Sequence, residues 1–233
     1  MMVMRLLILA HVMGRLLLLA THSTDTNYVQ DRVSMLLDRA EAVSPSVVRI
    51  VSLGQGERNT AALRGAGFVV GADGLIATAA HVLEGVPAGA IRVVPADTEP
   101  ATYDHATVTI VSIDQKHDIA LLRSAAVENR TPLALASADD VSFGQEVLML
   151  GCPTGEQDLT IHRGKIAVKT SRIVTASCYS EPCLKLDADV NSGSNGGPVI
   201  SLTTGKVIGL ASSAADGMVN RGGTLFGSKL SAS

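Results

Sequence analysis

Short β-branched runs dominate the chain from Val47 onward, and they restrict the fold more than any other feature. Gly, Asp and Pro separate the runs, which is the pattern of strands joined by turns. There are eleven: V-V-R-I-V, G-F-V-V, L-I-A-T-A, I-R-V-V, A-T-V-T-I-V, I-A-L-L-R, E-V-L-M-L, K-I-A-V, L-K-L-D, P-V-I-S-L and K-V-I-G-L. They predict an all-β fold, either one sandwich or two β-barrels with a cleft between them. Residues 124–140 lack strong periodicity and favour a link between two halves.

A different pattern precedes the first strand. We predict a short amphipathic helix at residues 27–42, within an N-terminal helical segment 25–44, because apolar residues recur there at helical spacing: Val33, Leu36, Leu37 and Ala40. Ser44-Pro45 is expected to end it, since the residue before proline disfavours the helical conformation.

Residues 1–24 read as a targeting segment, with Arg5 before a leucine-rich run and no acidic residue before Asp25. They resemble a secretory signal or export anchor, while an organelle transit segment or a mis-assigned start remain alternatives. Arg15 and His11 interrupt the run, which argues against a membrane span. We therefore expect a secreted, periplasmic or other exported location, with an organelle as the alternative.

Composition and cysteines exclude several classes of function. With 46% hydrophobic and 18% charged residues the chain is globular, and its net charge of -3 gives no reason to expect nucleic acid. Cys152 lies at the end of an apolar strand, and we predict that it is a buried structural thiol. Cys178 and Cys183 flank Y-S-E-P, and they either close a hairpin disulfide or stay unlinked. The spacing matches no zinc site, so we predict neither a metal nor an organic cofactor.

Three segments carry candidate chemistry. In the first segment, residues 65–81, His81 lies at the end of a predicted strand. In the second, residues 117–123, Asp118 precedes an apolar strand. The third, residues 187–198, contains a glycine-rich turn. A Ser-His-Asp hydrolase needs a histidine base, a buried carboxylate that orients it, and backbone N–H groups facing the oxyanion. Each segment alone is more often a surface residue, a cap or a turn. Their joint order in an all-β pattern favours the catalytic interpretation.

On these residues the chain resembles the trypsin-like serine proteases, and most closely the HtrA/Deg branch, from about Val43 to about Ser228. The matching stretches are V-S-P-S-V-V-R-I, G-A-G-F-V-V-G-A-D-G-L-I-A-T-A-A-H-V, D-I-A-L-L, F-G-Q-E-V-L-M-L-G-C-P and D-A-D-V-N-S-G-S-N-G-G-P-V-I-S-L-T-T-G-K-V-I-G-L. The resemblance implies a protease domain over residues 45–233, with two six-stranded antiparallel β-barrels at about 45–130 and 131–233 and the active site between them. It also implies a possible homo-oligomer. The sequence ends shortly after G-T-L-F-G-S-K-L, so we expect no PDZ domain.

The chain departs from this family at the nucleophile. The family pattern is Asn-Pro-Gly-Asn-Ser-Gly-Gly-Pro, but residues 191–198 read N-S-G-S-N-G-G-P, so Asn195 stands in the nucleophile's place after Ser194. An amide nitrogen is no nucleophile, and Ser194 should face away from His81. We predict a peptide-binding pseudoprotease or an inactive variant. The alternatives are an active endopeptidase that uses Ser194 or Ser192 or in which residue 195 is a variant of serine, and an all-β domain without a functional cleft.

The resemblance also implies the remaining site residues. The backbone N–H groups of Gly193 and Asn195 would form the oxyanion hole. Asp189 lies six residues before the nucleophile's place, where trypsin carries its pocket-floor aspartate. It would therefore select a Lys or Arg side chain of the substrate, or else be a solvent-facing carboxylate. A pocket wall that admits an aliphatic side chain would come from Leu210, Ala211 and Ser212. The expected partners are polypeptide substrates or extended peptide segments.

Overall fold

The computed structural model describes residues 26–54, 61–98, 108–137, 140–152, 159–170, 173–174, 179–180, 183–188, 193–213 and 223–228. The chain divides into two compact units, Met1–Glu41 and Ala42–Ser233. All the described strands belong to the second unit.

Helix α1 (Thr26–Val43) confirms the predicted N-terminal helix. The four apolar residues that predicted it are half-buried or buried, whereas Met35 on the other side is 41% exposed. A 3-10 helix, Ser44–Ser46, follows with Pro45 inside it, as the Ser-Pro pair predicted. Among the described residues, every helix is too short or too polar to cross a membrane.

Within the described residues, fourteen strands follow the helix. They are β1 (Val47–Leu53), β2 (Ala61–Gly71), β3 (Leu75–Thr78), β4 (Ile91–Pro95), β5 (Thr109–Asp114), β6 (Ile119–Arg123), β7 (Glu146–Gly151), β8 (Thr160–Thr170), β9 (Ile173–Val174), β10 (Tyr179–Ser180), β11 (Cys183–Ala188), β12 (Pro198–Ser201), β13 (Val207–Ser213) and β14 (Gly223–Ser228). The first six form one antiparallel sheet in the order β4-β1-β2-β3-β6-β5. A closed barrel has the order β11-β14-β13-β12-β7-β8, and β9 pairs with β10.

The predicted all-β architecture is confirmed, with two antiparallel sheets, and each of the eleven predicted runs overlaps a strand. Two closed barrels are not confirmed, because in the described residues the first sheet ends at its edge strands β4 and β5. The sequence missed three strands, β9, β10 and β14. Two of these have only two residues each, and β14 contains two glycines, which weaken a strand signal.

Strands β1 and β7 are buried over most of their length. The first five residues of β1 and the last five of β7 are all buried, so both faces of each strand are covered by protein. Phe68 on β2 and Ile76 on β3 are fully buried in the first sheet, and Met149 on β7 belongs to a buried cluster in the barrel. The strand ends that carry candidate residues therefore project from packed sheets.

The segment predicted to link two halves contacts both sheets. Ser124 caps a 3-10 helix, Ala125–Val127, through its side-chain oxygen. Further along, the Leu133 N–H donates to the Val69 carbonyl of β2, and the Ala136 N–H donates to the Val207 carbonyl of β13. The linker is thereby held against both sheets by backbone hydrogen bonds.

Candidate active site

His81 stands directly after the first sheet's β3. That strand ends at Thr78, and a 3-10 helix, Ala80–Leu83, begins two residues later and carries His81. The backbone N–H of His81 donates to Oδ1 of Asp118 at 2.9 Å, and its Nδ1 lies 2.8 Å from Oδ2 of the same carboxylate. Two contacts to one carboxylate fix both the backbone and the ring of His81, whose side chain keeps 29% of its surface exposed.

Asp118 is held in an unusual backbone conformation at the start of β6. Its φ of 54° is left-handed, which few residues other than glycine, asparagine and aspartate adopt. The Ala80 N–H donates to its carbonyl at 3.2 Å, and the Ser212 hydroxyl donates to Oδ2 at 2.7 Å. With the two contacts from His81, these bonds hold the residue in place despite the strain.

The protonation of this pair follows from its contacts. Burial raises the pKa of Asp118, but hydrogen bonds from His81 and Ser212 outweigh it, so the pKa is lowered overall. An ionised Asp118 favours the proton on Nδ1 of His81 and leaves Nε2 as the basic atom. Nε2 is buried and has no hydrogen-bond partner in the described part of the chain. This is the atom that takes the nucleophile's proton in Ser-His-Asp chemistry.

The glycine-rich turn between β11 and β12 uses the backbone freedom of its glycines. Gly193 and Gly196 have φ angles of 110° and 82°, which glycine adopts at no steric cost. The Gly196 N–H donates to the Ala211 carbonyl at 2.7 Å, and the Cys152 N–H donates to the Gly193 carbonyl at 3.1 Å. A Cβ at Gly196 would overlap the Ala66 carbonyl oxygen of β2. The turn therefore lies directly against the first sheet.

Asn195 also contacts the segment, residues 65–81, that carries His81. Its carbonyl accepts a hydrogen bond from the Ala66 N–H at 2.8 Å. A Cβ at Gly65 would lie 2.7 Å from the same carbonyl oxygen and 2.8 Å from Cγ2 of Val82, the residue after His81. The structure therefore brings together the segments of His81, Asp118 and Asn195, the first two from the sheet and the third from the barrel.

Ser194 lies against the barrel. Its residue surface is 1% exposed, and its Oγ has no hydrogen-bond partner among the described residues. A Cβ at Gly151, the last residue of β7, would lie 2.6 Å from this Oγ and 2.5 Å from the Ser194 Cα. The hydroxyl thus packs against the end of β7.

The other predicted residues fall into two groups. Leu210 and Ala211 are fully buried on β13, while the hydroxyl of Ser212 is bonded to Asp118. Asp189, Ser192 and Cys178 lie outside the described residues, as does the side chain of Cys183, so the two disulfide alternatives stay open. The bond from Ser212 to Asp118 was missed by sequence reasoning, because the two residues are 94 positions apart and share no local motif.

Cys152 is buried, as its apolar strand predicted. Burial raises the pKa of its thiol to about 11, although the nearby Arg49 guanidinium acts in the opposite direction. A thiol with that pKa is protonated at neutral pH and is a poor nucleophile. Cys152 contributes to the site through its backbone N–H, which holds the carbonyl of Gly193 in the glycine-rich turn. Within the described part of the chain, no three His, Cys, Asp or Glu side chains are grouped so as to hold a metal ion.

The fold is that of a trypsin-like peptidase. Residues 65–210, more than half of the chain, match the model of the trypsin-like peptidase domain. The chain belongs to this family.

Its curated relatives include HtrA-type proteases. The chain is 31% identical to serine protease HTRA1B of Danio rerio over 193 residues, which cover 81% of this chain and 39% of that protein. It is 34% identical to the magnetosome formation protease MamE of Paramagnetospirillum magneticum over 146 residues, which cover 63% of this chain and 19% of that protein. The chain therefore spans well under half the length of these relatives.

Solved structures give the same fold. The active form of the Rv3671c protease of M. tuberculosis has a TM-score of 0.65 and 27% identity, and the likeness covers 82% of this chain and 78% of that one. The HtrA-type protease AlgW with a decapeptide has a TM-score of 0.69 over 83% of this chain and 63% of that one. At 20% identity the second likeness concerns the fold alone.

Proposed function

We propose that this domain binds extended polypeptide segments at the site formed by His81, Asp118 and Asn195 and does not cleave them at a useful rate. One observation carries the proposal. The histidine and aspartate are joined and Nε2 of His81 is unpartnered in the described residues, yet the turn beside them presents Asn195. The neighbouring hydroxyl of Ser194 packs against Gly151 instead.

The chemistry separates binding from cleavage. Acyl transfer needs a hydroxyl or thiol whose proton His81 can remove, whereas the lone pair of an amide nitrogen is delocalised. The backbone N–H groups of Gly193 and Asn195 would still receive a substrate carbonyl, because the glycines permit the turn whatever side chain stands at residue 195. An enzyme that lacks a triad member keeps a residual rate only about 10³–10⁴-fold above that of water.

The relatives support a peptide as the ligand and an exported location. AlgW was solved with a decapeptide, and a relative in Chlamydia trachomatis, 32% identical over 67% of this chain, is described as a probable periplasmic endoprotease. Together with the leucine-rich residues 1–24, this supports a role outside the cytoplasm. The same residues leave an organelle as the alternative.

Replacing Asn195 by serine tests the proposal. The parent should turn over casein or a fluorogenic peptide at a negligible rate, and Asn195→Ser should gain proteolysis because only the hydroxyl is missing. The gain should be at least about 100-fold, since triad members act as a unit. Ser194→Ala is the matched control and should resemble the parent. The reciprocal change Ser194→Asn is best kept out of the first test, because extra volume at this buried position costs about 1–3 kcal/mol.

Each alternative function has its own result. Parent turnover that disappears in Ser194→Ala would establish an active endopeptidase with Ser194 as the nucleophile and overturn the proposal. A folded but inactive Asn195→Ser form would mean that the site has lost more than its hydroxyl. If fluorescein-labelled decapeptides show no binding to the parent, the domain has no peptide-binding cleft.

A further inference from the structure

Arg64 occupies a β-bulge at the edge of the candidate site. In the pairing of β1 with β2, Ile50 lies opposite Gly65 and Val51 lies opposite Leu63, so Arg64 is the extra residue. A bulge bends its strand and re-aims the side chain of the extra residue, and bulges are frequent beside functional sites. A Cβ at the next residue, Gly65, would lie 2.7 Å from the Asn195 carbonyl oxygen, which accepts from the Ala66 N–H.

The side chain of Arg64 is fixed to the segment that carries His81. Its Nη2 donates to the Glu84 carbonyl at 2.8 Å, and its Nε lies 3.5 Å from the Val82 carbonyl. Both carbonyls belong to the end of the 3-10 helix Ala80–Leu83 and its cap. The guanidinium is therefore held on the outer side of the His81 helix, in an exposed residue.

Arg64 forms no ion pair with a carboxylate in the described part of the chain. Four other cations of the same unit form ion pairs with carboxylates: Arg123 with Asp73, Arg130 with Asp97, Arg163 with Glu146, and Lys206 with Asp140. Arg64 bonds only to the two carbonyls, which take up Nε and one hydrogen of Nη2. Its Nη1 and the second hydrogen of Nη2 have no partner among the described residues. Those two nitrogens form the fork that binds a carboxylate through two parallel hydrogen bonds.

We propose that Arg64 is a specificity-determining residue that selects a peptide with an acidic side chain, Asp or Glu, where the peptide passes the His81 helix. The inference rests on the proposed peptide binding. The whole chain carries a net charge of -3, so it does not draw acidic peptides by its overall charge. Selection of an acidic side chain therefore needs a local cation that is already oriented, and Arg64 supplies one.

Paired peptides test the inference on the intact chain. Fluorescein-labelled decapeptides are made in pairs that differ only by Glu or Gln at one position, and that position is moved along the peptide from pair to pair. At one position the Glu peptide should bind the parent about tenfold more tightly than the Gln peptide, the size of a charge-assisted hydrogen bond. The preference should weaken between low salt and about 0.5 M salt, because exposed charges are screened.

Variants assign the preference to one residue. Arg64→Gln should reduce the ratio of the two affinities to about one, and Arg64→Lys should keep part of it because an ammonium keeps the charge and loses the fork. Arg92→Gln is the matched control, since the Arg92 guanidinium also bonds only carbonyls, those of Gly89 and Ile91, on edge strand β4. Its ratio should equal that of the parent. Because each ratio is measured within one variant, a change in folding affects both peptides and leaves the ratio unchanged.

The outcomes are distinguishable. If the parent binds neither peptide of any pair, the proposed function fails and this inference fails with it. If it binds both peptides of every pair equally, peptide binding stands and the acidic preference is wrong. If Arg64→Gln keeps the parent's ratio, another residue selects the carboxylate and the role of Arg64 is overturned.

Discussion

Asp118 combines backbone strain with buried charge. A left-handed backbone at a residue other than glycine costs about 1–3 kcal/mol and persists only where its surroundings hold it. Here His81 and Ser212 supply three hydrogen bonds to the carboxylate of Asp118, and the Ala80 N–H holds its carbonyl. The function of the residue in orienting His81 thus depends on the same contacts that maintain its conformation.

The charge of Asp118 should make stability depend on pH. Its folded-state pKa is lowered from 3.8, so the ionised form stabilises the fold above that pH, and this contribution is lost as the pH falls through the lower folded pKa. Asp118→Asn keeps the size of the side chain and removes the charge. The parent should be the more stable protein at pH 7, and the difference in unfolding free energy should shrink steadily below about pH 4.

Urea denaturation at several pH values between 2 and 7 provides the measurement. Asp114→Asn is the control, because a hydrogen bond from the His117 side chain lowers the pKa of Asp114 but that carboxylate is exposed. Solvent screening should make its effect much smaller. A difference between the parent and Asp118→Asn that stayed constant with pH would show that the charge of Asp118 does not stabilise the fold.

At the scale of elements, a buried arginine connects two strands of the first sheet. Arg49 lies in the middle of the apolar run of β1 and is 5% exposed. Its guanidinium donates to the carbonyls of Ala96 at 2.9 Å and Thr98 at 3.0 Å, both just after β4. Buried carbonyls need partners, and a planar guanidinium reaches several at once. Arg49 therefore holds the end of β4 against β1.

Replacing Arg49 by methionine should destabilise this connection. Methionine fills similar space but donates no hydrogen bond. The buried Ala96 carbonyl then loses its partner at about 1–3 kcal/mol, and the part-buried Thr98 carbonyl loses its partner at a smaller cost because water can reach it. We expect the free energy of unfolding to fall by about 3 kcal/mol. Arg92→Met, which removes bonds to the carbonyls of Gly89 and Ile91 at a more exposed position, should cost less than about 1 kcal/mol. Equal losses in the two variants, measured by urea denaturation, would refute the role given to Arg49.

At the scale of the whole molecule, the site exists because two sheets of one unit meet. The Ser212 hydroxyl of the barrel bonds the Asp118 carboxylate of the sheet, and the Asn195 carbonyl of the turn accepts from Ala66 of the sheet. A polar contact between the two sheets beside His81 couples the orientation of His81 to the packing of both. Stability and geometry of the site should therefore change together.

Removing the hydroxyl of Ser212 tests this coupling. Ser212→Ala deletes a hydrogen bond to a buried carboxylate and should lower the free energy of unfolding by about 2 kcal/mol. Combined with Asp118→Asn, it should cost clearly less than the sum of the two single changes, because both remove the same charged interaction. Ser201→Ala is the control, since Ser201 is also buried but its hydroxyl oxygen accepts from Gln145 and Thr204 and has no bond to Asp118. The loss of unfolding free energy in Ser201→Ala should add to the loss in Asp118→Asn. If the losses in Ser212→Ala and Asp118→Asn were also strictly additive, the coupling would be contradicted.

Local features of the sequence determined most of the elements and the order of the site. Helical spacing predicted α1, and β-branched runs bounded by turn residues predicted eleven of the strands. Both signals are local, because the spacing of apolar residues within an element depends on which of its faces are buried. The order of His81, Asp118 and the glycine turn predicted which segments would converge. The turn's glycines were also readable, because Gly193 and Gly196 adopt positive φ angles that a side chain disfavours.

Tertiary structure alone decided how side chains from distant segments are used. The sequence predicted that Ser212 lines a pocket wall, yet its hydroxyl bonds the carboxylate of Asp118, which lies 94 residues away in the other sheet. In the sequence, Arg49 interrupts an apolar run for no visible reason. The structure gives the reason, because its guanidinium donates to two carbonyls in the segment after β4. Arg64 carried no signal at all, since a bulge appears only when two strands pair in a given register. Periodicity reports which face of an element is buried, whereas register and the meeting of the sheets determine what that face contacts.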